Sequence, residues 1–403
     1  MLKSKTLGLL ALILIAAVAL TGCGGKQAAE KSSTEVKKEP YKIGVVLDSS
    51  GKSSSLGVPE RNTVQMLVDG INKKGGIDGH AIELIMLDSK TNETEAALAA
   101  KKLIQQDVLA VIGSSTSGST MAMVESVQNA SIPLVSCAAS IKIVEPVNDR
   151  KWVFKTAQSD SLVTSKITEY LKAKGITKVG FISVNNAYGD SGRAEFAKAA
   201  AKAGITVVVQ EKFEADDSLM TSQLTNIKKA APEAVIAWAT PPAASTLTAN
   251  YRQMGLTMPL IHSHGIGNQT FIDLAGDAAN GVIFPIGKLT VQDTLPTSDP
   301  QSPVLKDYAD QYKAASYGNV DPFGGYAWDA LELVVNAIQK VGPDKAKIRD
   351  EIEATKNFVG VTGVFNMSLT DHNGLAMSDI RFRRLLKVLI KVALVKQTGQ
   401  VVN

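Results

Sequence analysis

Two cysteines in 403 residues are too few for a disulfide framework, so the folded part of this chain must stand on an ordinary packed core. Cys137 has no histidine in its own segment, which makes it a buried structural thiol rather than a nucleophile. Aromatics make up only 5%, and the formal net charge of +4 is spread along the chain. A nucleic-acid face needs a basic stripe with interleaved aromatics, and none is present, so no nucleic-acid partner is expected. Neither G-x-S-x-G nor H-E-x-x-H occurs, which removes the usual signatures of an exported hydrolase. No apolar run after the folded part approaches the roughly 20 residues that a membrane span requires.

What is present begins with an address. Lys3 and Lys5 precede an apolar stretch over 7–20, followed by Leu20, Thr21, Gly22 and Cys23. A short basic start, an apolar core and small exit residues make a secretory signal. Small residues just before a cysteine resemble a bacterial lipobox, which implies cleavage before Cys23 and lipidation of its thiol. Residues 1–22 then read as a lipoprotein signal peptide. The small, polar and mixed-charge stretch over 23–40 cannot bury a core and reads as a flexible tether. The chain is therefore expected to be exported and held by lipid at the outer face of the membrane or in the periplasm.

From residue 41, strand-length apolar runs alternate with helical patterns. "KIGVVLD" (42–48) reads as a buried strand, and Val64, Leu67, Val68 and Ile71 form the i, i+3, i+4, i+7 stripe of a helix ending at "KKGG". "IELIMLD", "VLAVIG" and "PLVS" continue the series. Near residue 153 the pattern restarts, and "KVGFISV" (178–184) echoes the first strand in length and leading lysine. Such alternation means parallel sheets covered by helices, with ligands at the carboxyl ends of the strands. The stripe in "DPFGGYAWDALELVVNAI" reads as core.

One strand end draws the eye. "VIGSSTSGST" (111–120) has the glycine spacing of a phosphate loop, with Ser119 in place of the lysine. Without that lysine the outer phosphates have no partner. Unpaired amides at a helix start still favour one negative charge, and the hydroxyls of Ser117, Ser119 and Thr120 add donors. A single carboxylate suits this better than a triphosphate, although a simple helix cap by Ser117 or Ser119 uses the same letters. "SCAAS" (136–140) places more small and hydroxyl residues at the next strand end, which together make a small-molecule pocket.

Here the chain resembles the periplasmic solute-binding proteins of ABC importers, in the branched-chain amino acid (leucine-binding) family. The resemblance covers about 41–374 and rests on "INKKGGIDGHAIELIMLD", "NNAYGDSG" (185–192) and "GNQTFIDLAGDAANGV" (267–282). It implies a type I periplasmic binding protein fold: α/β, two doubly wound parallel-sheet lobes joined by three hinge strands and closing on a ligand. The lobes then comprise 41–158 plus 288–365 and 159–287 plus 366–403. It also implies a monomer that is not an enzyme, needs no cofactor or metal, and works with an ABC permease and ATPase.

Carried over position by position, the resemblance implies that Ser117 meets the ligand carboxylate, with Ser119 beside it. Ala138 supplies a carbonyl and Ser140 a hydroxyl, Tyr188 comes from the second lobe, and Leu56 forms an apolar wall. Thr240 stands in the loop "WATPPAA", where an aromatic-rich loop is expected. His264 takes the place of the glutamate that pairs with a ligand ammonium group. A neutral imidazole accepts a hydrogen bond but gives no full charge, whereas a protonated one favours a second anion or a phenol. The ligand is thus a branched-chain-type amino acid or, alternatively, an aromatic or keto carboxylic acid, and the same fold also serves sensor ectodomains. His262 shares a strand face with His264, but no third ligand for a metal lies nearby. The tail "RFRRLLKVLIKVALVK" fits edge strands, an amphipathic stretch or a shifted reading frame.

Overall fold

The computed structural model describes residues 38–386 and the backbone of residues 400 and 401. The expected signal peptide, Cys23 and nearly all of the tether lie outside the described residues, as does the tail over 387–399.

The first sheet is all parallel. It comprises β1 (Tyr41–Leu47), β2 (Ile82–Asp88), β3 (Ala110–Gly113), β4 (Leu134–Ser136) and β5 (Val153–Lys155), in the order β2-β1-β3-β4-β5. Helices α1 (Ser54–Lys73), α2 (Glu93–Gln105) and α3 (Ser117–Asn129) make its first three crossovers. The stripe on α1 buries Val64, Leu67 and Val68, with Ile71 half-buried at its edge.

After β5 the chain leaves for a second sheet. Helix α4 (Asp160–Ala173) leads into β6 (Lys178–Val184), α5 (Ala187–Ala203), β7 (Thr206–Phe213), α6 (Thr221–Ala230), β8 (Ala234–Trp238), α7 (Ala243–Gln253), β9 (Leu260–His262), α8 (Gln269–Ala275) and β10 (Ile283–Gly287). It then returns to the first lobe through α9 (Ser302–Ala314), α10 (Pro322–Val341) and α11 (Lys345–Glu353). Helix α10 packs along α1 and reaches β3 and β4. A small hairpin, β11 (Phe358–Val359) with β12 (Val364–Phe365), precedes the last crossing into β13 (Ile380–Arg384) and β14 (Gln400–Val401). The second sheet runs β14-β13-β10-β9-β8-β6-β7 and is parallel except at its β13 edge. The basic start of the tail, Arg381 to Arg384, is therefore strand, antiparallel to β10.

The chain thus passes between the lobes three times, and two of the passages are tied together. Asn373 donates to the carbonyls of Lys155 (3.1 Å) and Ala157 (3.0 Å) and accepts from the hydroxyl of Ser159 (2.9 Å). The buried Lys155 ammonium donates to Ala157 O (2.7 Å) and Ser159 Oγ (3.0 Å).

Helix α1 carries Pro59 in its interior. Proline lacks the N–H that would reach back four residues, so the carbonyl of Ser55 is left without its helical donor. Asn268 of the second lobe fills the gap, its Nδ2 lying 3.4 Å from Ser55 O, while its Oδ1 caps α8 at Phe271 N (3.0 Å). Three further bonds join the lobes across the cleft: Ser55 Oγ to Pro241 O (3.3 Å), Ser140 Oγ to Ser191 Oγ (2.7 Å), and Lys52 to Asp216 (3.0 Å). The lobes are closed on each other.

Candidate functional site

Between the lobes, at the carboxyl ends of both sets of strands, lies a cavity of ≈ 140 Å³. An apolar cavity of roughly 150 Å³ takes up benzene, so this one suits a single ring or a short branched chain.

The wall from the first lobe is built on the loop after β3. Gly113 has φ +114°, and a Cβ placed on it would lie 1.9 Å from the carbonyl of Val46 on the neighbouring strand, so only glycine allows the chain to turn here. The turn delivers a run of hydroxyls, most of which face inward to a buried acid. Asp48 accepts from Ser89, from Ser114 (3.2 Å) and from Ser119 (3.0 Å), and its own amide donates to Ser115 Oγ (3.0 Å). Ser115 in turn donates to Glu60 on α1. Glu60 is fully buried, and burial pushes its carboxyl well above the usual range.

This network orients the start of α3. Thr120 N donates to Thr116 O and closes the first turn. The amides of Ser117, Gly118 and Ser119 find no acceptor among the described residues, and all three residues line the cavity. Ser117 Oγ accepts from the amide of Ser140 (3.3 Å), which leaves its own proton to donate. Three amides and one hydroxyl at the positive end of a 13-residue helix make a seat for one anionic group.

The second lobe's wall holds Tyr188 from the start of α5, Thr240 after β8, and His264 in the turn after β9. The Tyr188 hydroxyl donates to Ser263 Oγ (2.9 Å), which turns its ring toward the cleft. His264 is 4% exposed and meets the rings of Tyr188 and Trp238 edge-on. Burial pushes its pKa down to about 3, with the nearby Lys155 charge adding to the shift, so the imidazole is neutral. Its Nδ1 is buried and has no hydrogen-bond partner among the described residues. Such an atom is costly unless something in the cleft meets it.

Seven of the eight residues singled out in the sequence line this one cavity: Leu56, Ser117, Ser119, Ala138, Tyr188, Thr240 and His264. Two roles differ from expectation. Ser140 is not on the cavity wall; its hydroxyl bonds across to Ser191 and so joins the lobes. Ser119 touches the cavity, but its proton is committed to Asp48. His262 turns away from His264 and bonds Thr248 (2.9 Å), packed against Phe271. Cys137 is buried as expected, yet it also lines the cavity. Among the lining residues that sequence reasoning missed, the charged and large ones are Glu93 at the start of α2 and Phe323 and Tyr326 near the start of α10. The stripe on α10 is core along most of its length, and a helix start pointing at a strand-end pocket was the available signal for these two.

Two hinged α/β lobes with a seat for an anion on one wall and neutral rings on the other define a clamshell ligand-binding protein. The sequence model of the family described as "Periplasmic binding protein" matches residues 40–387, and the chain belongs to that family. It is a family of exported solute-binding proteins rather than of enzymes. The chain is 26% identical over 331 residues to the leucine-, isoleucine-, valine-, threonine- and alanine-binding protein of Pseudomonas aeruginosa, covering 80% of this chain and 84% of that one. Among solved structures it is similar to an extracellular ligand-binding receptor from Rhodopseudomonas palustris (TM-score 0.81, 29% identity, 86% and 98% of the two chains). It is also similar to the branched-chain amino acid transporter substrate-binding protein LivJ from Streptococcus pneumoniae, solved with isoleucine (TM-score 0.77, 27% identity, 90% and 99%).

Proposed function

We propose that this chain captures a small apolar amino acid of the branched-chain type between its lobes and delivers it to an ABC permease and its ATPase. In this reading the lobes comprise 41–158 plus 288–365 and 159–287 plus 366–403. The protein acts as a monomer, and a lipid on Cys23 holds it outside the cell by a tether. The observation that carries the reading is the start of α3: free amides of 117–119 and the Ser117 hydroxyl open into a cavity the size of one short side chain. The ligand carboxylate sits there, with Ala138 beside it. Leu56, Phe323 and Tyr326 surround the side chain, and Tyr188, Thr240 and His264 close from the other lobe. Because the ligand touches both lobes it favours the closed state, which is the form a permease reads. Lipid attachment is tested by metabolic labelling with a radioactive fatty acid, which Cys23→Ala should abolish.

A second reading keeps the same seat but fills it with a keto or aromatic carboxylic acid. It is favoured by the neutral His264, which gives an ammonium group no full countercharge from the second lobe. A thermal-shift panel of leucine, isoleucine and valine against the matching keto acids and benzoate separates the two. Amino acids raising the melting temperature most support the first reading; keto acids or benzoate at the head of the series replace it with the second.

A further inference from the structure

The cavity wall contains no lysine or arginine and a single acidic side chain, Glu93. Glu93 is the first residue of α2, and an acid there is welcome to that helix's own dipole. That does not explain where its carboxylate goes. A Cβ built on Gly118 would lie 2.1 Å from Glu93 Oε1, so the carboxylate leans across the first turn of α3 into space that only a glycine leaves. Lys90, the nearest cation along the chain, is paired with Glu95 (3.8 Å), and no ion pair to Glu93 is found among the described residues. Lys155, the cation whose charge reaches His264, is held by Ala157 O and Ser159 Oγ.

A lone carboxylate anion seated on the amides of 117–119 would therefore lie beside a second, solvent-exposed carboxylate with no lysine or arginine on the cavity wall, a repulsion that water weakens but does not remove. A group carrying its own positive charge next to its carboxylate removes the conflict. In an α-amino acid the ammonium sits on the carbon adjoining the carboxyl carbon, so a carboxylate seated at Ser117 brings the ammonium to the neighbourhood of Gly118. We propose that Glu93 is the countercharge for the ammonium group of an α-amino acid, so that the first lobe alone reads both charges of the zwitterion. The unpartnered Nδ1 of His264 then accepts one remaining ammonium proton when the second lobe arrives. This rests on the carboxylate seat at Ser117 proposed above, and it moves charge recognition from the closing lobe to the receiving one.

The test is calorimetric titration of the full chain, purified in detergent, with leucine, isoleucine, valine, threonine and alanine, and with 4-methyl-2-oxopentanoate as the keto match of leucine. The wild-type chain should bind an amino acid more tightly than the keto acid. Glu93→Gln should weaken the best amino acid by roughly 10- to 30-fold, as expected for a lost charge-assisted bond, and leave the keto acid unchanged or improved. Gly118→Ala, which displaces the carboxylate, should repeat the pattern. Ser117→Ala should weaken both ligand classes and so reports on the seat alone. A melting temperature equal to wild type shows that Glu93→Gln is folded. Amino-acid binding that Glu93→Gln leaves intact overturns the proposal and spares the seat. A wild-type chain that prefers the keto acid overturns the proposal as well, and one that binds none of the probes overturns the amino-acid reading with it.

Discussion

The two lobes bury mainly different ionisable groups, apart from Lys155, pushed down to about 7 in the first, and Asp160, raised at the start of the second, both chiefly by burial. Beneath the first wall lie acids: Glu60 is pushed well above its ordinary range, and Asp321, which caps α10, and Asp329 within it are raised to about 7, all chiefly by burial. Beneath the second lie histidines, with His262 and His264 pushed down to about 3 by the same loss of water. The two sets of groups respond to acid with opposite sign. Between pH 7 and 4 Asp321 and Asp329 hold protons in the folded state that they release when unfolded, so the contribution of these two acids to stability grows as pH falls. Between pH 6.5 and 3 the unfolded histidines take up protons that the folded second lobe refuses, so acid destabilises it. The lesson is that a cleft can be cleared of fixed charge in two ways, and that the one acid left facing it, Glu93, stands out for that reason.

The contrast can be broken outright on one side. Gly113→Ala drives a methyl into the Val46 carbonyl in a left-handed conformation; equilibrium unfolding in denaturant should show a loss of about 4 kcal/mol, carried by the first lobe. A variant as stable as wild type would mean that the β3 turn relaxes freely. Ser117→Ala tests the same wall without touching its fold, and ligand binding should weaken by roughly 1–3 kcal/mol in calorimetry. On the other side, His264→Gln removes a group that resists protonation. Its stability relative to wild type should grow by about 2 kcal/mol as pH falls from 7 to 5, measured by denaturant midpoint at each pH. A difference that stays constant with pH would show that His264 takes its proton in the folded state. Last, Ser140→Ala cuts the bond to Ser191 that joins the lobes; affinity should drop by roughly fivefold, with the fold unaffected.

The alternation of strand and helix was plain in the letters because buried parallel strands leave little room for polar residues, as β1 and β3 show. The cavity wall after β3 was legible for a related reason: hydroxyls and glycines cluster at that strand end, and Ser117 and Ser119 do line the cavity. What the letters could not reveal was direction. Ser117, Ser119 and Ser140 look alike in a row, yet Ser117 keeps a proton to give, Ser119 spends its own on Asp48, and Ser140 reaches the other lobe. Glu93 reads as an ordinary first-turn acid because its reach across Gly118 depends on how α2 and α3 pack. Phe323 and Tyr326 vanish into the apolar stripe of α10, because both are buried in the core and also border the cavity. The strand formed by Arg381 to Arg384 stayed one of three alternatives for the tail because its charges mask the apolar alternation; Arg383 is nonetheless buried, its guanidinium donating to Thr290 O (2.7 Å).

Pro59 has an effect that reaches beyond its own helix. By lacking a hydrogen it leaves the Ser55 oxygen unclaimed by α1, and Asn268 claims it from across the cleft. When the halves swing apart, water can take the same place, so shutting exchanges one weak partner for another at little net gain. This contact therefore adds little bias to either state, and leaves the choice between them to the other groups that meet across the cleft.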